Sequence, residues 1–318
     1  MTDRVLVDPS QAPSEPPTGA GRRPVRASPK RHSWAEGWFN RHLVGVLPFF
    51  VFVGVFLLIP TLVVAIGAFG DEANRPTLAN ITALADGYIV DAFVRSIVLS
   101  AVTAIIGAVV GALLAYALVT AKPDGAIRRV VTSACGVLAQ FGGVTLAFAF
   151  IATLGLSGFV TVFLRDHLGV NIYSSGVWLF DLPGLALVYT YFQIPLMVIV
   201  FLPALDGIRP QWREATEVLG GSTWYYWRRV AGPLLTPAFL GATLLLFANS
   251  FSAYATAAAL VSQGSPIVPL QIRSALTSEV VLGRENLGKA MALGMVVVVA
   301  VVMWLYALLQ RRTSRWLD

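Results

Sequence analysis

Few residues of this sequence have the chemistry of a catalytic or metal-binding site. The chain contains three histidines, His32, His42 and His167, and one cysteine, Cys135. All three histidines lie outside the long apolar stretches, so none is available there to activate a serine nucleophile or to ligate a metal. A single cysteine also excludes a disulfide framework and a multi-cysteine metal site. The sequence therefore predicts no catalytic residue and no metal site.

A second group of residues consists of uncharged polar side chains inside apolar stretches. Gln140 and Gln193 stand alone, whereas Asn249, Ser252 and Tyr254 fall within one short cluster. Polar groups at membrane depth are costly unless they bond between helices or face a water-filled path. Because the cluster is denser than helix packing requires, these five residues are candidates to line a path through the membrane. Hydrogen bonding between helices is the alternative.

The loop 206–233 has the pattern of a short amphipathic helix with recognisable ends. Pro210 suits the first turn of a helix, and Gly220 suits its end because glycine adopts the left-handed conformation without strain. Ser222 can cap a second short helix, and Pro233 marks the start of the next apolar stretch. The apolar face of the first helix carries Trp212, Ala215, Val218 and Leu219. Such a helix is suited to docking in a groove of a partner protein, and a membrane-surface helix without a partner is the alternative.

The elements that position these residues are predicted to be transmembrane helices. The chain has 318 residues, of which 56% are apolar and 13% charged, whereas soluble domains carry about 25% charged residues. A bilayer core of about 30 Å requires about 20 apolar residues in a helix. The charge-free stretches of sufficient length are 43–70, 96–121, 130–164, 182–205, 230–272 and 290–310. The sequence therefore predicts an all-α polytopic membrane protein with six transmembrane helices.

Two of these stretches, 130–164 and 230–272, are longer than one crossing requires. Each is therefore predicted to contain an additional piece, either a short interfacial helix or a segment buried against protein. None of the six stretches contains Asp, Glu, Lys, Arg or His. Ion-coupled carriers usually place an ionisable group inside the membrane. The sequence therefore indicates that another subunit supplies the energy.

The distribution of basic residues predicts the orientation of the chain. Most of the 23 lysines and arginines fall on one side of the membrane when the N-terminus is placed inside, whereas the acidic residues divide nearly evenly. Both termini are therefore predicted to be cytoplasmic. Residues 1–42 are predicted to be a disordered basic cytoplasmic tail and interfacial segment able to contact membrane lipid, 43–310 the membrane domain, and 311–318 a cytoplasmic C-terminal tail.

The run EATEVLGGSTWYYWRRVAGP, residues 214–233, resembles the signature of the permease subunits of binding-protein-dependent ABC importers. That signature reads E-A-A, three residues, G, nine residues and I-x-L-P. The residues that match it are Glu214, Ala215, Gly220 and Pro233. The residues that depart from it are Thr216, Val230 and Gly232. The segment FANSFSAYATAAALV followed by VPLQI resembles the subgroup that serves polyamines, ferric iron, thiamine, sulfate and phosphonates.

The resemblance implies the type I ABC importer permease fold, with six transmembrane helices and a cytoplasmic coupling helix, in a bacterial inner membrane. It implies that two permease subunits, alike or different, pair over two ABC ATPase subunits, and that an extracytoplasmic binding protein delivers the substrate. ATP and Mg²⁺ are then used by the ATPase, while this chain binds no cofactor and no nucleic acid and is not itself an enzyme.

The same resemblance implies the roles of individual residues. The residues of the coupling loop would be Glu214, Ala215, Thr216, Gly220 and Pro233. Their contact with the ATPase would drive alternating access of the pathway. The expected substrate is a small polar solute such as a polyamine, a phosphonate or an iron complex. The alternative is a secondary transporter or channel that is not driven by ATP.

Overall fold

The computed structural model describes residues 41–71, 75–121, 125–261, 267–277 and 285–314. Within these ranges the backbone is mostly helical, and the one pairing of extended backbone is a bridge between Gly70 and Pro76. The α-helices of the described residues are α1 (Arg41–Val53), α2 (Ile59–Ala68), α3 (Ala79–Ala83), α4 (Gly87–Thr120), α5 (Ala126–Gln140), α6 (Gly143–Leu154), α7 (Phe159–Leu168), α8 (Leu182–Asp206), α9 (Pro210–Val218), α10 (Thr223–Tyr226), α11 (Gly232–Phe251), α12 (Ala255–Leu260), α13 (Val268–Thr277) and α14 (Glu285–Ser314). The predicted tail over residues 1–40 and the last residues, 315–318, lie outside this description.

The chain divides into two units, residues 1–54 and residues 55–318. In the first unit the described element is α1, which contains Pro48. The second unit contains α2 to α14, and all the residues discussed below belong to it.

Six helical stretches of the described chain are long and apolar enough to cross a membrane, as predicted. They are Val46–Ala68, Gly87–Thr120, Gly143–Leu168, Leu182–Asp206, Thr223–Phe251 and Glu285–Leu308. The prediction of an all-α polytopic membrane protein is therefore confirmed.

The two apolar stretches that exceed one crossing both contain interrupted helices. The first includes most of α5, all of α6 and the start of α7, and the second includes α11 and α12 and reaches into α13. The additional pieces predicted from their length are thus present as short helices. Part of α12 is buried against protein, since Thr256, Ala257 and Leu260 are almost inaccessible. This burial agrees with one of the two predicted alternatives.

Some helices extend beyond the charge-free stretches that predicted them. Helix α4 starts before Ser96 and includes Asp91 and Arg95, and α14 includes Lys289. The 34 residues of α4 give a helix of about 51 Å, whereas the hydrocarbon core is about 30 Å thick. We therefore expect the charge-free stretch to be the part of the helix within the hydrocarbon, with the rest extending into the polar interface.

Helix α8 packs against α4, α5 and α11. Its contact with α4 is close because Gly107 and Gly111 of α4 face it: a Cβ on Gly107 would lie 2.7 Å from the Cβ of Gln193, and one on Gly111 would lie 2.5 Å from the Cβ of Met197. Small residues at such positions let two helix backbones approach. Helix α8 therefore packs against both α5 and α11, the two helices that end at the interruptions described below.

Candidate functional site

The first feature of the site is the interruption between α5 and α6. The amide of Phe141 donates to the carbonyls of Val137 and Leu138, which ends α5. Gly142 is extended, and Gly143 has a φ of +68°. Because glycine lacks a Cβ, it adopts this left-handed conformation without steric cost. The Gly142–Gly143 pair therefore redirects the chain inside an apolar stretch, and α6 begins there.

The second interruption lies between α11 and α12, at residues 252–254, where the sequence has no glycine or proline. The hydroxyl of Tyr189, on α8, donates to the carbonyl oxygen of Ala253 at 2.5 Å. Interrupted backbone at membrane depth is tolerated only where its polar groups are satisfied by protein or water. Tyr189 therefore provides a hydrogen bond that the helix itself no longer supplies.

The two interruptions lie next to each other. A Cβ built on Gly143 would lie 3.7 Å from the Cβ of Ala255, so the first residues of α6 and α12 are in contact. Farther along the same helices, Ala147 and Ala257 belong to one buried apolar cluster. Helices α6 and α12 therefore begin next to each other and also pack together farther along.

A cavity of about 410 Å³ opens where α6 and α12 begin. It is lined by Ala139, Gly142, Gly143, Phe192, Asn249, Ser252, Ala253, Tyr254, Ala255 and Thr256. The wall is part apolar and part polar, and the described residues that form it carry no charge. The cavity lies where one candidate span, Gly143–Leu168, begins and another, Thr223–Phe251, ends. Transport proteins commonly place a solute site where helices within the membrane are discontinuous.

Three of the five polar residues singled out in the sequence are brought together at this cavity. Asn249, Ser252 and Tyr254 all line it. Gln140 is exposed at the end of α5, next to the lining residue Ala139, but is not part of the wall.

The fifth residue, Gln193, lies away from the cavity in a buried hydrogen-bond network. Its amide nitrogen donates to Thr103 Oγ1 at 2.8 Å, and Thr103 Oγ1 lies 3.0 Å from Ser250 Oγ. All three residues are buried, and Gln193 Oε1 has no hydrogen-bond partner among the described residues. This network links α4, α8 and α11 just before the second interruption. The location favours the alternative of hydrogen bonding between helices for Gln193.

The sequence reasoning missed several residues of the site. The Gly142–Gly143 pair was the available signal for the first interruption, since two adjacent glycines in an apolar stretch often mark a turn. Thr256 belongs to the polar residues of the same apolar stretch but was not chosen as a pathway candidate, although it lines the cavity and is 2% exposed. Tyr189 carries no sequence signal, because its role depends on a contact with a residue 64 positions away.

A positive charge lies beside the cavity wall. Arg273, on α13, places its guanidinium carbon 5.9 Å from the ring centroid of Tyr254. Arginine over the face of an aromatic ring is a favourable cation–π arrangement. Arg273 is exposed and forms no ion pair with the described residues. Its charge is therefore available to the space around Tyr254.

The second part of the site is the helix predicted in the loop 206–233, and its predicted ends are confirmed. Helix α9 begins at Pro210. Gly220 follows it with a φ of +79°, and the Gly221 amide donates to the Thr216 carbonyl. Ser222 caps α10 by accepting a hydrogen bond from the Tyr225 amide at 3.2 Å. The loop therefore consists of two short helices with defined ends, the second of them capped by a side chain.

The apolar residues of α9 and its end are exposed. Val218 and Leu219 are each 87% exposed, and Trp212 is 38% exposed. Thr216 is the buried residue of α9, and its methyl group lies against Gly221. The position where the signature has a second alanine is therefore the one through which the helix packs on its own chain.

The charged side chains of α9 differ in their pairing. Arg213 Nε donates to Glu217 Oε1 at 3.0 Å, and this hydrogen bond raises the pKa of Arg213 above its ordinary value. Glu214 is exposed and makes no ion pair with the described residues. Helix α9 thus presents exposed apolar side chains together with one unpaired carboxylate.

The connection from α10 to α11 is a π-helical turn, Trp227–Ala231, that leads directly into Gly232. A Cβ on Gly232 would lie 2.5 Å from the carbonyl oxygen of Trp227. The glycine that departs from the signature is therefore required by this turn, and Pro233 follows it within the first turn of α11. The helix runs without interruption from Thr223 to Phe251, at the edge of the cavity.

Comparison with protein families gives a match to the family described as binding-protein-dependent transport system inner membrane component, over residues 144–315. The match includes most of the cavity wall and the whole of the loop with α9 and α10.

Individual relatives share about a quarter to a third of their aligned residues with this chain. The ferric transport system permease protein FbpB of Actinobacillus pleuropneumoniae is 26% identical over 220 residues, which cover 67% of this chain and 30% of the relative. The sulfate transport system permease protein CysT of Escherichia coli is 30% identical over 112 residues, covering 35% of this chain and 36% of the relative. The chain spans about a third of the length of the ferric permeases that it matches.

Two solved structures show the same fold. A chain of the bacterial ABC transporter that imports the acidic polysaccharide alginate matches with a TM-score of 0.70 and 17% identity, covering 86% of this chain and 95% of that chain. A chain of the MetNI methionine ABC transporter in an inward-facing conformation matches with a TM-score of 0.53 and 16% identity, covering 70% and 95%. Since the family match extends over more than half of the sequence, this chain belongs to the inner membrane components of binding-protein-dependent transport systems, the permease subunits of type I ABC importers.

Proposed function

We propose that this permease moves a small polar solute through the cavity by alternating access, driven by a cytoplasmic ATPase that binds α9. The observation that carries the proposal is the continuous helix from Thr223 to Phe251. One end of it is joined by a short capped turn to the exposed helix α9, and the other end reaches the cavity. A movement of α9 would therefore be transmitted to the cavity wall.

The chemistry of α9 fits a protein partner. Val218 and Leu219 are nearly fully exposed, and exposed apolar side chains beside an unpaired charge are typical of docking surfaces. Glu214 can accept a charge-assisted hydrogen bond from a basic residue of the ATPase. Ala215, Thr216 and Gly220 shape the helix and its end, as the resemblance to the permease signature implies.

A second connection joins the loop to the other interrupted helix. Asp206, at the end of α8, pairs with Arg128 of α5 at 2.6 Å. Helix α5 ends at the first interruption, beside Gly142. Both ends of the loop 206–233 are thus linked to helices that lead to the cavity, and each link provides a route by which docking can alter the cavity wall.

The polar wall of the cavity supports pairing with a second permease subunit. Asn249 and Ser252 are exposed in this chain, although they belong to a predominantly apolar stretch. Exposed polar groups at this depth are unfavourable against lipid, so a second subunit is expected to enclose the path. We propose two permease subunits over two ATPase subunits, with ATP and Mg²⁺ held by the ATPases.

The proposed direction of transport is inward, with both termini cytoplasmic and a binding protein delivering substrate from the opposite side. ATP binding would favour the arrangement in which the two coupling helices approach, because it must bind that arrangement more tightly to shift the equilibrium. Relatives of this chain are named for ferric, molybdenum and sulfate transport. The proposed substrate is accordingly a small polar solute such as an iron complex, a phosphonate or another oxyanion, or a polyamine.

The test of the coupling proposal is a Glu214→Gln variant of the assembled transporter in proteoliposomes. Loss of the charge-assisted contact is expected to lower ATP-driven uptake by about tenfold or more. Glu217→Gln is the matched control, since it removes a carboxylate from the same helix that is already paired with Arg213. Substrate capture by the binding protein should not change in either variant.

Two results would contradict the proposal. Normal uptake by Glu214→Gln, with normal recovery of the ATPase in the purified complex, would remove the coupling role of this residue. Uptake by the wild-type permease without ATP would instead indicate a secondary transporter or a channel.

A further inference from the structure

The amides at the start of α6 form the first observation about what the cavity can bind. Gly143 lines the cavity and is the first residue of this 12-residue helix. The first four amides of an α-helix have no partner within the helix. At this helix the Gly142 amide donates to the Gln140 carbonyl, but no side chain caps the helix start and the described residues provide no backbone acceptor for the amides of residues 143–145. The positive end of the α6 dipole is therefore uncompensated at the cavity.

Thr256, which follows Ala255 in α12, is an independent observation at the same cavity. The residue is 2% exposed and lines the wall, and its hydroxyl has no hydrogen-bond partner among the described residues. Its oxygen is not among the fully buried side-chain atoms that lack a partner, so it is reached from the cavity that the residue lines. A ligand in the cavity would satisfy it, because a hydroxyl can donate to an oxygen of that ligand.

Within the described part of the chain, the charge found in contact with the cavity wall is positive. The described residues of the wall include no carboxylate, which a polyamine or another organic cation would require as a counter-ion. Arg273 contacts a wall residue through the ring of Tyr254. A cationic solute would therefore meet repulsion from Arg273 without a compensating carboxylate among the described wall residues.

We propose that the cavity binds its solute as an anion, with the first amides of α6 and the Thr256 hydroxyl as donors and Arg273 as the attracting charge. The proposal rests on the assignment of the cavity as the translocation site. It selects small oxyanions and carboxylates from the polar solutes considered above, and it excludes polyamines. Anions bind at helix N-termini because the amides and the dipole both favour negative charge.

The test uses two thiol reagents of opposite charge and requires no knowledge of the solute. Ser252→Cys is made in a Cys135→Ala background of the full-length permease in its assembled complex, without ATP. Its rates of modification by the negatively charged sulfonatoethyl and the positively charged trimethylammonioethyl methanethiosulfonate are compared. Ser175→Cys, at an exposed position outside the spans, corrects for the intrinsic reactivity of each reagent.

The expected result is a corrected rate ratio that favours the negative reagent by about threefold or more, because a positive potential concentrates anions at the site. Arg273→Gln should lower this ratio towards one, and Arg273→Lys should retain it. Arg165→Gln is the matched control, since it removes an arginine that pairs with Asp166 in α7. The corrected rate ratio should be the same in Arg165→Gln as without this substitution.

A corrected ratio of one, or a preference for the positive reagent, would overturn the proposal and would favour a neutral or cationic solute respectively. A ratio that survives Arg273→Gln would overturn the role of that residue. Asn249→Cys is a second reporter in case Ser252→Cys does not fold. Because the measurement uses no ATP, its failure leaves the coupling proposal standing, and a failure of the Glu214→Gln test leaves this result standing.

Discussion

At the scale of single residues, the site depends on how an interrupted backbone is stabilised inside an apolar environment. The two interruptions are stabilised differently. At the first, Gly143 adopts a left-handed conformation that glycine allows, whereas at the second the Tyr189 hydroxyl donates a hydrogen bond to the Ala253 carbonyl. The first means could be predicted from two adjacent glycines. The second could not, because the stabilising hydroxyl comes from another helix.

The Tyr189 hydrogen bond leads to a stability prediction. Tyr189→Phe keeps the ring but leaves the Ala253 carbonyl without its described donor, so unfolding is expected to become easier by about 1 kcal/mol. Thermal unfolding of the purified permease would measure this. Tyr191→Phe is the control, since Tyr191 is on the same helix, partly exposed, and makes no hydrogen bond within the described residues. Equal melting temperatures for the two variants would contradict the assigned role.

Gly143 leads to a second prediction at this scale. Gly143→Ala introduces a Cβ at a φ of +68° and is expected to cost about 1–2 kcal/mol, because an L-residue is strained there. The cost comes from the backbone, since the nearest atom to the added Cβ is 3.7 Å away. Gly136→Ala, inside α5 with open space around its Cβ, should be neutral or slightly stabilising. If thermal unfolding does not separate the two variants, the first interruption does not require glycine.

At the scale of elements, the ends of α9 follow from local chemistry and were predictable. Pro210, Gly220 and Ser222 each act through their own backbone or a neighbouring amide. The connection from α10 into α11 was not predictable, because a π-helical turn leaves no distinct residue pattern. The signature has a leucine at the position of Gly232, and the π-helical turn explains why this chain has a glycine there instead.

Gly232 therefore gives a prediction that runs against the family pattern. Gly232→Leu restores the residue of the signature, yet its Cβ would meet the Trp227 carbonyl oxygen at 2.5 Å. We expect a loss of about 1–3 kcal/mol in stability from this overpacking, together with reduced uptake, because the turn joins α9 to α11. Val230→Ile also moves towards the signature and should have little effect. A melting temperature for Gly232→Leu equal to that of the wild type would mean that the turn tolerates a side chain.

At the scale of the whole molecule, the apolar composition predicted a membrane protein, and the charge-free stretches predicted the number of spans, because the thickness of a bilayer sets the length of each span. The length of the two over-long stretches also predicted additional pieces. The cavity itself was only partly predictable. Asn249, Ser252 and Tyr254 are close in sequence, so their clustering was visible, but Gly143 meets Ala255 only in the folded chain. The role of Gln193 could not be predicted from the sequence, since a polar residue in a span can form hydrogen bonds between helices instead of lining a path.

The described residues of the cavity wall carry no charge, and this bears on the source of free energy for transport. The described wall residues cannot bind or relay a coupling ion by charge. The free energy for transport is then expected to enter through α9 from a partner, and the cavity is expected to respond to events on the cytoplasmic side.

The most direct test of this account is the access of a polar thiol reagent to Ser252→Cys, in the Cys135→Ala background, with and without ATP in the assembled transporter. We expect the rate of modification from the side opposite the ATPase to change at least several-fold when ATP is bound, since the cavity should then face that side. Val98→Cys, an exposed apolar position on α4, should react equally in both states. The same rate for Ser252→Cys in both states would contradict alternating access at this cavity.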